Sequence, residues 1–280
     1  MKKTLVICVL FNPSKEVLKK WSSLSSHKNE YIDFCFVDNS KNSHSNNISG
    51  NFIFIHNGKN IGIAEAQNKG IEYAIEKGYD YVVFFDQDSI ADYSYIENIV
   101  NEYNRIKYYI PNIGVLGPTI INVSTGIQYK SQKTKSHYNY KIVNCLISSG
   151  SIIEINTLKI VGFMDKRLFI DYVDFEWCWR ANSKGYISII TELISLNHKV
   201  GQEDKKFLSY PIIISSPFRY YFQYRNWLWL CKRSYVPQGY KFKSGIRKLV
   251  EFIVIPMLTN NGTLILKEML RGIKDGIQKK

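Results

Sequence analysis

Apolar positions in the first half of the chain recur in two rhythms: short unbroken runs, and stretches spaced for one face of a helix. Leu5–Leu10 is an apolar run that predicts a first strand, and "NPSKEVLKKWSSL" starts a helix at Pro13 and Ser14. "YIDFCFVDNS" alternates and then runs apolar into Asp38, and "NFIFIHN" is a third short strand. In "NIGIAEAQNKGIEYAIEKG", Ile63, Ala66, Ile71, Ala74 and Ile75 fall at near-helical spacing, with Gly78 as the stop. A fourth strand, "YVVFFDQDS", buries Val82, Val83, Phe84 and Phe85 and ends on two acids, Asp86 and Asp88. Tyr93–Tyr109 is a further helix. Strands alternating with helices predict an α/β fold with a mostly parallel central sheet flanked by helices.

Residues 113–200 are more strand-like, in "IGVLGPTII", "NCLISSGSIIEI" and "YISIITELISLNHK", with one helical interruption at "VDFEWCWRANSKG". From Ser216 the pattern turns helical, first in "SPFRYYFQYRNWLWLCKRSY" and then in two amphipathic basic stretches separated near Asn260–Gly262. No repeat or long linker divides the chain. The expected organisation is an α/β domain over residues 1–210 and a basic, aromatic-rich helical extension over 211–280.

Composition narrows the class. With 280 residues, 45% hydrophobic and 22% charged, the chain can bury a full core and has the balance of a soluble globular protein. Five scattered cysteines without a CxxC pair indicate neither a disulfide framework nor a zinc knuckle, and fit reduced thiols in a cytosol. The apolar run after Lys2 and Lys3 is too short for a signal peptide and lacks a cleavage site. "LVEFIVIPML" is broken by Glu251 and Pro256 and too short to span a bilayer. A cytoplasmic, non-integral protein is expected. Of the net charge of +13, residues 201–280 hold 15 Lys+Arg against 5 Asp+Glu, or +10. That imbalance points to an anionic partner: lipid head groups, phosphates or nucleic acid.

Several acids stand where chemistry can occur. Ligands of open α/β sheets bind beyond the carboxyl ends of the strands. Asp86 and Asp88 there can hold Mg²⁺ or Mn²⁺, which prefer carboxylate, water and phosphate oxygens; two solvated acids in a turn are the plain alternative. Asp38 can accept from a base N–H or a ribose hydroxyl, or cap its own turn. Asn60 and Gly62 form a turn into a helix N-terminus suited to a phosphate, or simply a cap. In "FIDYVDFEWCWRA", Asp171, Asp174 and Glu176 lie among aromatics, where a desolvated carboxylate can act as a general base; an Asp174–Arg180 ion pair is the structural alternative. His198, after a strand, is either a metal ligand or a packed histidine.

Taken in order, "FVDNS", "NIGIAEAQNKGI", "FFDQDS", "SSGS", "FIDYVDFEWCWRA", "NHKVG" and "SPFRYYFQYRN" resemble the family 2 glycosyltransferases of GT-A fold, and most of all their bacterial rhamnosyltransferases, over roughly residues 4–230. The resemblance implies that Asp38 contacts the nucleotide base, with Asn60, Gly62, Asn68 and Asp86 around the nucleotide. It implies that Asp86 and Asp88 hold Mg²⁺ or Mn²⁺ on the donor diphosphate, with His198 a further contact. Asp174 falls at the catalytic base; Val173 stands where many members carry Glu, which keeps Glu176 and Asp171 as rivals. The implied reaction is inverting transfer of L-rhamnose from dTDP-L-rhamnose to a hydroxyl of a cell-surface polysaccharide precursor. The acceptor is then a glycan or a lipid-linked saccharide, met in the cytoplasm or at the inner face of the cell membrane.

Two other classes compete. A haloacid-dehalogenase-type phosphatase also ends an apolar strand on an Asp-x-Asp, but on its first strand and with a later paired-aspartate motif that this chain lacks. A single-strand nucleic-acid binder would use the basic charge and aromatics, yet leaves the acid clusters unexplained and has no RNP motif here, so no nucleic-acid partner is expected. For the tail, an anionic membrane face competes with a helical cap or a homodimer contact.

Overall fold

A computed structural model describes residues 2–27, 29–89, 91–122, 128, 133–136, 139–198, 203–207 and 210–278. In chain order the elements are β1 (Thr4–Leu10), α1 (Lys15–Ser25), β2 (Ile32–Asp38), β3 (Ile53–His56), α2 (Ile63–Glu76), β4 (Tyr81–Asp86), α3 (Tyr93–Tyr109), β5 (Ile113–Asn122), β6 (Lys133–Ser136), β7 (Tyr140–Val143), β8 (Ile152–Glu154), α4 (Ile155–Val161), α5 (Val173–Ser183), β9 (Ile187–His198), β10 (Glu203–Phe207), β11 (Tyr210–Ile214), α6 (Pro217–Cys231), α7 (Gln238–Leu258) and α8 (Gly262–Gln278).

The main sheet runs β3-β2-β1-β4-β8-β5-β9-β7-β6. Its first four strands are parallel, as the alternation of strands and helices predicts. The rest is mixed: β8 runs antiparallel to both β4 and β5, β5 and β9 are parallel, and β7 is antiparallel to β9. The unbroken apolar runs follow from burial on both faces. Val6, Cys8, Phe34, Phe36, Val83 and Phe85 face one core with Trp21 and α3, while Leu5, Ile7, Cys35, Val37, Val82 and Phe84 face a second core with α2, α4 and α5.

The extension is not a separate body. Tyr220 and Tyr224 of α6 pack with Ile255 of α7 and with Ile265 and Met269 of α8. Trp179 of α5 shares another cluster with Leu230 of α6 and with Val236. A Cβ on Gly272 of α8 would stand 2.4 Å from the Tyr221 carbonyl oxygen of α6, so these helices cross at backbone contact and only glycine fits there. The extension expected to be helical from residue 211 opens with β11, so the change from strand to helix comes at α6, and packing is continuous across it.

Candidate active site

The carboxyl ends of β1, β2 and β4 lie side by side, and three loops knit them together. After β4 the chain turns, with Ser89 N–H donating to the Asp86 carbonyl at 3.0 Å. The Gln87 side chain clasps Phe11, accepting from its N–H at 2.8 Å and donating to its carbonyl at 3.2 Å. Trp21 Nε1 donates to the Gln87 carbonyl at 3.0 Å, and the Lys20 ammonium donates to that of Ser89. With Gln87 held toward β1, the acids on either side of it, Asp86 and Asp88, both line a cleft of about 1040 Å³. The "SSGS" turn supports them from below. Asp86 N–H donates to Ser149 Oγ at 3.2 Å, and the Ser149 and Ser89 hydroxyls meet at 2.5 Å.

The opposite side of the floor is the start of α5. Asp174 Oδ1 accepts from Phe175 N–H at 2.9 Å, and Oδ2 accepts from Ser148 N–H at 3.3 Å. Ser148 and Ser149 therefore bind the two acid groups through adjacent residues. Burial pushes the Asp174 carboxyl up to about 7; the N–H groups of Phe175 and Ser148 oppose that rise, and the charge of Asp86 adds to it. The side chain keeps partial exposure toward the cleft. A carboxyl so placed exchanges a proton near neutral pH, as general-base work requires.

The chain approaches Asp174 through a strained loop. Phe169, Asp171 and Tyr172 have φ of 65°, 63° and 66°, a region costly for residues with a Cβ. Helix α6 supplies the restraint. Asn226, fully buried, donates through its amide to the carbonyls of Leu168 (2.9 Å), Ile170 (2.8 Å) and Asp171 (3.2 Å). Arg225 donates to the Arg167 and Leu168 carbonyls at 2.8 and 3.1 Å. The Arg219 guanidinium pairs with both oxygens of Asp171, and Phe169 stacks on Phe222 at 4.7 Å. From α2, Ile63 N–H donates to the Phe169 carbonyl at 2.7 Å.

Of the residues singled out from the sequence, Asp86, Asp88, Asp171 and Asp174 meet in the cleft. The others lie elsewhere. Asp38 is fully buried and engaged with its own loop, accepting from Ser40 N–H (2.9 Å), His44 N–H (3.1 Å) and His44 Nδ1 (2.9 Å). Burial raises its pKa, but those hydrogen bonds outweigh burial and hold it below the usual carboxylate range. Asn60 Oδ1 caps Gly62 N–H at 3.0 Å. Gly62, at φ 85°, fits under Phe169, where a Cβ would stand 2.6 Å away. Both polar atoms of Asn68 bond the Met164 backbone at 2.9 Å, which makes it a brace between α2 and the loop after α4.

Glu176, 1% exposed, is held in a buried charge cluster by Arg180 (2.9 Å), Arg233 (2.8 Å) and the Tyr235 hydroxyl (2.6 Å). Arg180 therefore pairs with Glu176, four residues before it, and not with Asp174; four residues bring side chains to one helical face and six do not. Asp171 is committed to Arg219. His198 ends β9 opposite Asn122; its side chain lies outside the described residues. Sequence reasoning assigned no role to Ser148, and gave Arg219 and the basic stretch of α7 a membrane contact and no place in the site; Ser148, Arg219, Lys243, Arg247 and Lys248 all reach the cleft. The "SSGS" and "FRYYFQYRN" runs were the available signals.

A hard cation suits this cleft. Among the described residues no group of three or more His, Cys, Asp or Glu side chains forms a ready metal cage. Asp86 and Asp88 are two oxygen donors facing a cavity with room for phosphate and water, and Mg²⁺ is ordinarily held by that donor set.

Residues 5–161 match the family described as Glycosyl transferase family 2. The chain is 30% identical, over 97% of its own length and 94% of the relative's, to the dTDP-rhamnosyl transferase RfbF of Shigella flexneri. Two solved structures share the fold. GalNAc-T7 with UDP, GalNAc and Mn²⁺ superposes on the whole chain at a TM-score of 0.60 and 13% identity, the chain spanning 56% of that structure's length. Staphylococcus aureus TarS residues 1–349 in complex with UDP-GlcNAc aligns with 99% of the chain and 81% of that structure at 0.58 and 14%.

Proposed function

This chain belongs to glycosyl transferase family 2, and on that premise we propose that it transfers L-rhamnose from dTDP-L-rhamnose to a hydroxyl of a cell-surface polysaccharide precursor, with inversion. The donor is supported by the relative named a dTDP-rhamnosyl transferase, which aligns over nearly the full length of both chains. The observation that carries the chemistry is Asp174: a cleft carboxyl raised to about 7, facing the acid pair at the end of β4.

Two barriers oppose transfer. The acceptor hydroxyl is a weak nucleophile, and negative charge grows on the departing diphosphate. Asp174 accepts the hydroxyl proton as the oxygen attacks the anomeric carbon from the face opposite the diphosphate, help ordinarily worth ~10²–10⁴-fold in rate. The N–H groups of Ser148 and Phe175 hold the carboxylate in place. Asp86 and Asp88 would hold Mg²⁺ or Mn²⁺, which when bound supplies electrostatic stabilisation of the leaving diphosphate. Arg219, fixed by Asp171 at the cleft edge, keeps positive charge beside the same space. The protein works on the cytoplasmic side, with its acceptor a glycan or lipid-linked saccharide; no helix among the described residues is long and apolar enough to cross a membrane.

A panel of nucleotide sugars with and without Mn²⁺, read by thermal shift and by transfer to saccharide acceptors, tests the reading. Selective stabilisation by dTDP-L-rhamnose with Mn²⁺ is expected, since a ligand that binds only the folded state raises apparent stability. Stabilisation by a UDP-sugar and none by dTDP-L-rhamnose would overturn the donor assignment.

A further inference from the structure

Much of the aromatic–basic helix α6 is packed inside: Tyr220, Tyr221, Phe222, Tyr224, Arg225 and Asn226 are buried. The exposed apolar surface lies on the next helix. Along α7, Phe242 (72% exposed), Ile246, Leu249 (69%), Val250, Ile253 (64%) and Met257 (80%) follow each other at intervals of three and four residues, with Val250 beside Leu249. One continuous stripe of large side chains therefore runs the length of the helix uncovered. Charge borders it on the cleft side. Lys243 and Arg247 follow Phe242 and Ile246 by one residue, about 100° round the helix, and both line the cleft. The acid of α7, Glu251, pairs with Lys248 and with Arg247 of that border.

We propose that this stripe of α7 seats the protein on an anionic lipid surface, in the plane of the head groups, with the cleft mouth opening beside it. An exposed apolar face rimmed by Lys and Arg, on a helix that does not span, is the pattern of an interfacial helix, its apolar side entering the head-group boundary by ~5–10 Å. The charge of residues 201–280, +10, favours this occupant over a second copy of the chain, because two such tails facing each other repel while anionic lipid attracts both. The consequence for the proposed transfer, on which this last step rests, is geometric: a lipid-linked acceptor enters the cleft from the surface that α7 touches, past Lys243 and Arg247.

Vesicle flotation without donor tests the surface independently of the reaction. The full chain should float with phosphatidylcholine vesicles containing about 30% phosphatidylglycerol, float poorly with pure phosphatidylcholine, and detach in high salt. The double variant L249D/I253D should bind the mixed vesicles at least about tenfold more weakly, while its melting temperature and its transfer to a water-soluble acceptor stay as in the unaltered chain. Equal flotation of the double variant, or no flotation of the unaltered chain, overturns the proposal. So does a wild-type dimer in sedimentation that L249D/I253D dissociates, since a second copy then covers the stripe. Loss of donor selectivity with vesicle binding intact would count against the sugar assignment and leave this surface standing.

Discussion

Asp174 is the residue whose environment makes the strongest demand on chemistry. Its carboxyl, raised by burial to about 7, should give a free-enzyme activity that climbs as pH rises through about 7, because only the deprotonated form accepts a proton. Carboxyl ¹³C titration of the free protein should find that midpoint; a value near 4 would remove Asp174 as the tuned group. The substitution Asp174→Asn should lower kcat by ~10²–10⁴-fold and leave donor binding intact. The same shift has a cost in stability, and its sign is fixed. With the folded-state pKa above the unfolded one, the folded state holds the proton more tightly between about pH 4 and 7, so stability from this group falls across that window and stays low above it. Asp174→Asn should therefore melt higher than the unaltered protein at pH 8 and show no such gain at pH 4. Asp88 makes the other residue-scale prediction. EDTA should abolish transfer and Mn²⁺ restore it, while Asp88→Asn should raise the Mn²⁺ required by at least the ~10–100-fold that even an outer-shell change produces. Full activity in metal-free buffer would refute the acid pair as a cation site.

The element that sets Asp174 in place is the loop of residues 169–172, and its geometry is imposed from α6. Three left-handed residues with side chains in one four-residue stretch persist only where surroundings over-determine them. Here the Asn226 amide bonds the carbonyls of Leu168, Ile170 and Asp171, while Arg225 fixes its orientation by donating to Asn226 Oδ1 at 2.7 Å. Asn226→Ala removes the donor to the Ile170 and Asp171 carbonyls, at ~1–3 kcal/mol for each acceptor left unpaired, so a lower melting temperature is expected together with a kcat about tenfold down and a displaced Asp174 titration midpoint. A loss of stability with that midpoint unmoved would mean Asn226 only supports the fold. The sequence showed the strands and helices of this region because burial on one or two faces writes a period into the chain, as in Leu5–Leu10 or Tyr93–Tyr109. It could not show this clamp. An Asn inside an aromatic helix has no periodic signature, and its partners are backbone carbonyls more than fifty residues away. The same limit separated Asp174 from Glu176: both are acids among aromatics in one helical turn, and only the positions of Arg180, Arg233 and Tyr235 assign one to a buried ion-pair cluster.

At the scale of the whole molecule, the cleft is a joint product of two chain segments that line it with side chains of opposite charge. The α/β part contributes Asp86, Asp88 and Asp174; the helical extension contributes Arg219, Lys243, Arg247 and Lys248. Composition displayed this segregation as a basic tail, but not that the tail closes the site, since charge counts carry no information about which surfaces meet. The extension also completes the apolar packing: Trp179 of the catalytic part is covered by Leu230 and Val236, and the loop before Asp174 rests on Phe222 and Asn226. Removing residues 216–280 should therefore do more than shorten the protein. It exposes Trp179 and frees the strained loop, and burial of one large aromatic side chain alone is worth ~3–5 kcal/mol by truncation, a large share of the net stability of a domain. The truncated chain should elute as aggregate and show no cooperative melt and no donor-dependent stabilisation. A soluble 1–215 fragment with a sharp transition and a dTDP-L-rhamnose shift would instead make the α/β part a self-sufficient domain and reduce α6 to an accessory of the acceptor side.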